Sequence, residues 1–391
     1  MSKWPLIPLG EICSTSSGGT PSRSNPEYFG GEVLWIKSGD LTDGEVIHCD
    51  ENITDEALRN SSAKLFPRGT VLLAMYGATV GKLGMLEVDA ATNQAVCGIS
   101  APESLDRWFL FFFLLSQRQK LISLSAGGAQ PNISQKIVRE LLVPVPPLPE
   151  QRRIVDLLSR AEGIVRLRRE AEKKAAELIP ALFNDMFGDP ATNPKGWPVR
   201  KVAEFVKRFE GGKNIQAGSE NGSAYRILKV SAVTSGVYRE SERKPSPDGY
   251  IPPASHIVRR GDMLFSRANT QELVGATAVV EKTDGATLLP DKLWRFVWNE
   301  PVESAYMHAL FQSGHTRQEL GKLSSGTSAS MRNISQGKLF ALTMPVAPYS
   351  AQKEFAERSA MMKSIQSQQS TATVKAKATF DALLAKTFTE R

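Results

Sequence analysis

Residues 77–83, GATVGKL, carry the glycines and lysine of a phosphate-cradling loop. Such a loop needs four residues between its glycines and a Ser or Thr after the lysine to hold magnesium. Here three residues separate Gly77 from Gly81, and Leu83 follows Lys82, so phosphate transfer is not expected. The four histidines, His48, His256, His308 and His315, share no metal-ligand spacing and have no cysteine partners. His308 and His315 stand a heptad apart on what reads as one helix, a spacing of surface or packing residues. Cys13, Cys49 and Cys97 are far apart and form no CxxC pair, which fits a reducing cytoplasm. No Gly-x-Ser-x-Gly elbow or HExxH helix occurs. The expectation is a chain that is not an enzyme and holds no metal.

Asn25-Pro26-Glu27-Tyr28 is similar to the Asn-Pro-Pro-aromatic signature of amino-methyltransferases. Glu27 replaces a proline, however, and no glycine-rich cofactor loop accompanies it, so the segment reads as a turn. The chain offers a different chemistry in short loops that mix Gly, Ser, Asn and Gln with Arg or Lys. They are SGGTPSRSNPEYFGG (17–31), SAGGAQPNISQ (125–135), EGGKNIQAGSENGS (210–223), FSRANTQ (265–271) and SSGTSASMRNISQ (324–336). Small residues let backbone approach phosphates, Arg and Lys reach phosphates or guanine, and Asn and Gln make paired bonds to adenine. From such loops and their flanking strands we take as candidate DNA contacts Arg23, Lys37, Ser38, Tyr76, Lys82, Asn93, Gln94, Gln130 and Asn132. Their counterparts further on are Lys213, Arg226, Lys229, Arg267, Asn269, Lys292, Arg332 and Asn333. A net charge of +7 and a pI near 9.2 favour a polyanionic partner.

These loops must be positioned by ordinary globular domains. With 391 residues, 41% of them apolar and 23% charged, the chain has room for two or three domains with normal cores. The start, MSKWPLIPLGEI, does not read as a signal peptide. WFLFFFLL (108–115) is too short for a membrane span and predicts a buried helix beneath a sheet.

The same tetrapeptide, NISQ, occurs at 132–135 and 333–336, and 333 − 132 = 201. Gln151 and Gln352 in the following segments, VPVPPLPEQRRIVDLL and MPVAPYSAQKEFAERS, differ by the same 201. So do Leu182 and Leu383 in ALFNDMF and ALLAKTF. One offset held over more than fifty residues marks a long internal repeat. Upstream, Trp4-Pro5 parallels Trp197-Pro198, and VLWIKSGDL (33–41) parallels YRILKVSAV (225–233). Arg68-Gly69 and Arg260-Gly261 each lead into a buried strand, at an offset of 261 − 69 = 192, so the loops between have changed length. In each copy Ile133 or Ile334 should be a buried anchor, with Asn132 or Asn333 capping the next turn or reaching DNA.

Each half closes in a heptad helix. With Ile154 at the first core position, the series includes Leu157, Ala161, Ile164, Leu178 and Leu182. The C-terminal series includes Phe355, Met362, Ile365 and Leu383 and is weaker, so it should dock on the central helix. A helix over 151–187 would span roughly 55 Å, a spacer's length, with Pro180 able to kink its far end.

The double repeat, the VPVPPLPEQRRIVDLL exit, the ALFNDMFGDP helix end and the WIKSGDL and AQPNIS segments together resemble the specificity subunit of type I restriction–modification systems. The resemblance covers essentially the whole chain. It implies an α+β fold of two similar target-recognition domains and two long antiparallel coiled-coil helices related by a pseudo-twofold repeat. The boundaries expected are 1–150 and 188–350 for the domains, and 151–187 and 351–391 for the helices. Ser350 and Ala351 replace Pro149 and Glu150, which leaves the second helix's start open. The family further implies a cytoplasmic, non-catalytic subunit that binds bipartite double-stranded DNA and docks two adenine-N6 methyltransferase subunits and restriction subunits. S-adenosylmethionine, ATP and Mg belong to those partners, and no membrane is involved. Alternative readings are the recognition subunit of a methylation-only system and a coiled-coil protein-binding adaptor.

Overall fold

The computed structural model describes residues 4–124, 132–219, 223–328 and 331–388. The chain folds as two compact units, residues 1–170 with 371–391 and residues 171–370.

The first unit is built around a five-stranded sheet in the order Ser14–Ser17, Val96–Ser100, Val71–Ala74, Leu83–Leu86, Gly44–Val46. Its inner strands are continuous apolar runs buried on both faces, VLLA and LGML among them. The apolar run predicted as a buried helix is Arg107–Ser116, packed on the strands Val71–Ala74 and Leu83–Leu86. Its start is set by Asp106, whose carboxylate accepts from the Trp108 and Phe109 amides at 2.9 and 3.1 Å. A second sheet joins Phe29–Ile36 to Asn52–Ile53 and, in parallel, to Ala90–Thr92.

The second unit repeats this plan. Its main sheet runs Val206–Gly211, Leu293–Trp298, Met263–Ser266, Thr277–Val279, the order of the first four strands above. Arg226–Leu228 again takes an antiparallel neighbour, Arg243–Pro245, and a parallel one, Thr287–Leu288. The helix Ser304–Gln312 packs on Thr277–Val279 as Arg107–Ser116 packs on Leu83–Leu86. The paired Arg-Gly turns agree in detail. Gly69 and Gly261 have φ of +91° and +89°, open to glycine at no steric cost, and their amides donate to Leu86 and Val280 carbonyls at 2.7 and 2.8 Å. His308 and His315 lie on separate helices, Ser304–Gln312 and Gly314–Leu323, because Ser313 leaves helical geometry and caps the second through the Thr316 amide.

Both long helices have 40 residues, Leu148–Phe187 and Tyr349–Phe388, and their starts and ends keep the 201-residue offset. The second start is therefore unchanged by the loss of the Pro-Glu pair. A glutamine fixes both starts. Gln151 is fully buried; its carbonyl accepts the Asp106 amide at 2.7 Å, and its amide donates to Ser104 and Pro146 carbonyls at 3.1 and 2.9 Å. Gln352 accepts the Glu303 amide at 3.1 Å and donates to the Ala347 carbonyl at 2.8 Å. Pro180 is accommodated inside the first helix.

In the first unit Ile154, Leu158, Ala161 and Val165 share a core with Ala376, Phe380, Leu383 and Leu384. Phe388 meets the rings of Phe109 and Phe113 edge-on. In the second unit Leu182, Phe183 and Phe187 pack with Phe355 and Met362, and the Gln366 amide donates to the Ala175 carbonyl at 2.7 Å. Each unit thus sets the start of one helix beside the end of the other, an antiparallel coiled-coil pair.

The expected core register needs correction at four residues. Leu157, Ile164, Leu178 and Ile365 are exposed by 44%, 54%, 36% and 45%, whereas Ile154, Ala161, Leu182, Phe355, Met362 and Leu383 face the core. The core-facing series runs Gln151, Ile154, Leu158, half-buried Ala161 and Val165, so the second core position falls four residues after Ile154, not three. Adjacent apolar pairs, Leu157-Leu158, Ile164-Val165 and Leu178-Ile179, satisfy either spacing, and the facing helix decides between them.

Candidate nucleic-acid interface

The two NISQ segments are latches. Ile133 and Ile334 are fully buried, as expected of anchors. The Ile133 amide donates to the Met75 carbonyl at 2.7 Å, and the Ile334 amide to the Arg267 carbonyl at 2.9 Å. Met75 and Arg267 are equivalent, since 267 − 75 = 192, the offset of the glycine turns. Their own amides donate to Ala95 and Lys292 at 2.8 and 3.1 Å. Capping of the next turn falls to Ser134 and Ser335, whose hydroxyls accept the Ile137 and Lys338 amides at 3.3 Å. Asn132 and Asn333 stand two residues upstream of the capping serines. They lie instead in antiparallel bridges, with Tyr76 and Ala268.

Around the first latch, backbone bonds join Gly19 to Thr92, Asn93 to Ile36 and Met75 to Ala95. This gathers the 18–25 loop, the 92–95 turn, Lys37 and Tyr76 with Asn132 onto neighbouring chain segments. The Asn93 side-chain Oδ1 already accepts the Ala95 amide at 3.1 Å, and exposed Gln94 bonds Thr20. Arg23 lies 4.4 Å from the Phe29 ring centre and 5.3 Å from that of Trp35, and both Arg23 and Lys37 bind Glu51. Ser38 opens a short 3-10 turn after Lys37. Gln130 lies outside the described residues.

Lys82 is exposed at the end of the phosphate-loop look-alike. The amides of Val80, Gly81 and Lys82 already donate to Gly77, Ala74 and Thr79, so these three N–H groups are engaged within the turn.

Around the second latch the structure brings together Lys213, Arg267, Asn269, Lys292, Arg332 and Asn333. Lys213 bridges to Pro290, and Asn269 pairs with Arg332 in the small sheet Ala268–Asn269, Met331–Asn333, Ser325–Ser328. The Arg267 guanidinium is 5.6 Å from the Trp294 ring centre and donates through Nε to the Asp291 carbonyl at 2.8 Å. Arg332 Nη1 donates to the Gly326 carbonyl at 3.0 Å, while its buried Nε has no partner among the described residues. Arg226 and Lys229 lie apart from this group, on and just after the strand Arg226–Leu228.

Two supports escaped the sequence reading. Buried Arg295 donates to Glu210 at 2.5 Å and Asp262 at 2.9 Å, and to the Ser255 and Ile257 carbonyls. Burial works against its charge, and the bonds to the two carboxylates outweigh it. It steadies the strand that ends in Gly211, beside Lys213. Glu51 is the second, and only its tie to two distant cations reveals it. Among the described residues no helix is long and apolar enough to cross a membrane.

Residues 1–177 match the type I restriction modification DNA specificity domain. The chain is 26% identical over 231 residues to the MjaIX specificity subunit of Methanocaldococcus jannaschii, covering 54% of this chain and 53% of that protein, about half its length. It is 25% identical over 382 residues to the EcoKI specificity subunit of Escherichia coli K12, covering 91% and 81%. Its fold matches a chain solved in work on complex assembly and conformational transition of the type I R-M system. The TM-score is 0.62 at 20% identity, covering 98% of this chain and 97% of that one.

Proposed function

We propose that the chain is a specificity subunit of the type I restriction–modification family, whose DNA specificity domain its residues 1–177 match, and that it reads a bipartite DNA target without catalysing any reaction. Each recognition unit reads one half-site. The observation that carries this reading is the repeated latch: in both units an equivalent buried isoleucine bonds the residue just past the end of an equivalent inner strand, each time amid arginine, lysine and amide side chains. Phosphate contacts from Lys213, Lys292 and Arg332 would position the duplex, and Arg267, braced by Trp294 and Asp291, would read a base edge.

Adenine-N6 methyltransferase subunits and restriction subunits are the proposed partners, and S-adenosylmethionine, ATP and magnesium act on them. Leu157, Ile164 and Leu167 form an exposed apolar stripe on the first long helix, 44%, 54% and 59% exposed, which a partner helix would cover.

The test is to express the chain with its cognate methyltransferase and sequence the methylated adenines. Two short half-sites at a constant separation are expected. Methylation by the purified chain and S-adenosylmethionine alone would refute the non-catalytic role, and modification without sequence preference would refute recognition.

A further inference from the structure

In the first unit one carboxylate restrains both of the cations nearest the recognition loop. Arg23 grips Glu51 with a two-pronged fork, Nη1 on Oε1 and Nη2 on Oε2, the second bond at 3.0 Å. Lys37 Nζ lies 3.2 Å from the same Oε2. The aromatic faces of Phe29 and Trp35 orient the guanidinium. Glu51 is fixed from behind, since its carbonyl accepts the Trp35 amide at 3.1 Å and the Cys49 thiol at 3.1 Å. The Arg23 bond, joined by that of Lys37, holds its carboxyl below the usual range, so it stays charged. Its side chain is 23% exposed and therefore open to exchange with an external anion.

Two oxygens sharing one negative charge, gripped by an arginine fork and a lysine, reproduce what a DNA phosphate offers. Around the second latch no such arrangement occurs among the described residues. Lys213, Lys292 and Arg332 meet no carboxylate among the described residues, and Arg267 is 4.0 Å from Asp291.

Building on the DNA-recognition reading above, we propose that Glu51 is an internal phosphate mimic that keeps Arg23 and Lys37 off the backbone of non-target DNA. The first unit thereby avoids indiscriminate electrostatic binding, and the second supplies most of the phosphate neutralisation.

The test uses the full chain and a labelled random-sequence duplex, with affinity measured by fluorescence anisotropy at several salt concentrations. Glu51→Gln frees two cations. It should bind more tightly at low salt, and its log–log salt slope should steepen by about 2, with about tenfold more affinity lost between 50 and 200 mM than in the wild type. Lys37→Gln, a change at a half-buried side chain that keeps its polar end, should leave the wild-type slope unaltered and remove half the gain in the Glu51→Gln background. An unchanged slope in Glu51→Gln that melts like wild type overturns the proposal. So does a slope flattened by about 1 in Lys37→Gln alone, which carries the test if Glu51→Gln does not fold. If the wild type binds no duplex at all, the DNA-recognition reading itself falls.

Discussion

Replacing Gln151 by methionine keeps the length and volume of the side chain while removing its three hydrogen bonds. At about 1 kcal/mol net per bond, the loss comes to about 3 kcal/mol. It could run higher, because the Asp106 amide and the Ser104 and Pro146 carbonyls lose a partner that is fully buried. Gln352→Met removes two such bonds and should cost about 2 kcal/mol. Each unit carries three tryptophans, Trp4, Trp35 and Trp108 in the first and Trp197, Trp294 and Trp298 in the second, so urea unfolding followed by fluorescence reports on both. Hydrogen exchange localises the effect, since the Asp106 amide should lose protection in Gln151→Met. Gln151→Glu should be worse than methionine near neutral pH, because a carboxylate oxygen then opposes two carbonyls, and acidification should recover part of the loss. A cost below about 1 kcal/mol for Gln151→Met, or one smaller than that of Gln352→Met, would refute the account of how the helices are seated.

The corrected helix register makes a paired prediction. Leu158→Ala should destabilise by about 2–5 kcal/mol, and Leu157→Ala, one residue away, by under about 1 kcal/mol in thermal unfolding. Equal costs would restore the three-residue spacing. Burial pushes His308 down from 6.5 to about 4, with the Lys363 charge adding to the effect. Between those values the unfolded chain binds the proton and the folded chain does not, so stability is full above about pH 6.5 and falls toward pH 4. The loss approaches about 3 kcal/mol, and His308→Gln should flatten the pH dependence of unfolding in that window.

The sequence by itself determined the repeat, the buried isoleucines, the glycine turns and the two long helices. Each rests on a local requirement, such as an apolar residue at a fixed spacing or a positive φ that only glycine meets freely, and such requirements survive in residue identity. What only the tertiary structure decided was every choice between neighbours of equal chemistry. Leu157 and Leu158 are alike in sequence, and the facing Phe380 and Leu384 bury only the second. Asn132 and Ser134 both suit a cap, and the distance to the Ile137 amide selects the serine. Arg23 and Lys37 look like free cations until Glu51, many residues away, is folded against both. Whether a charge is available to a partner depends on which opposite charge the fold brings within a few ångströms, and that partner has no fixed place in the sequence.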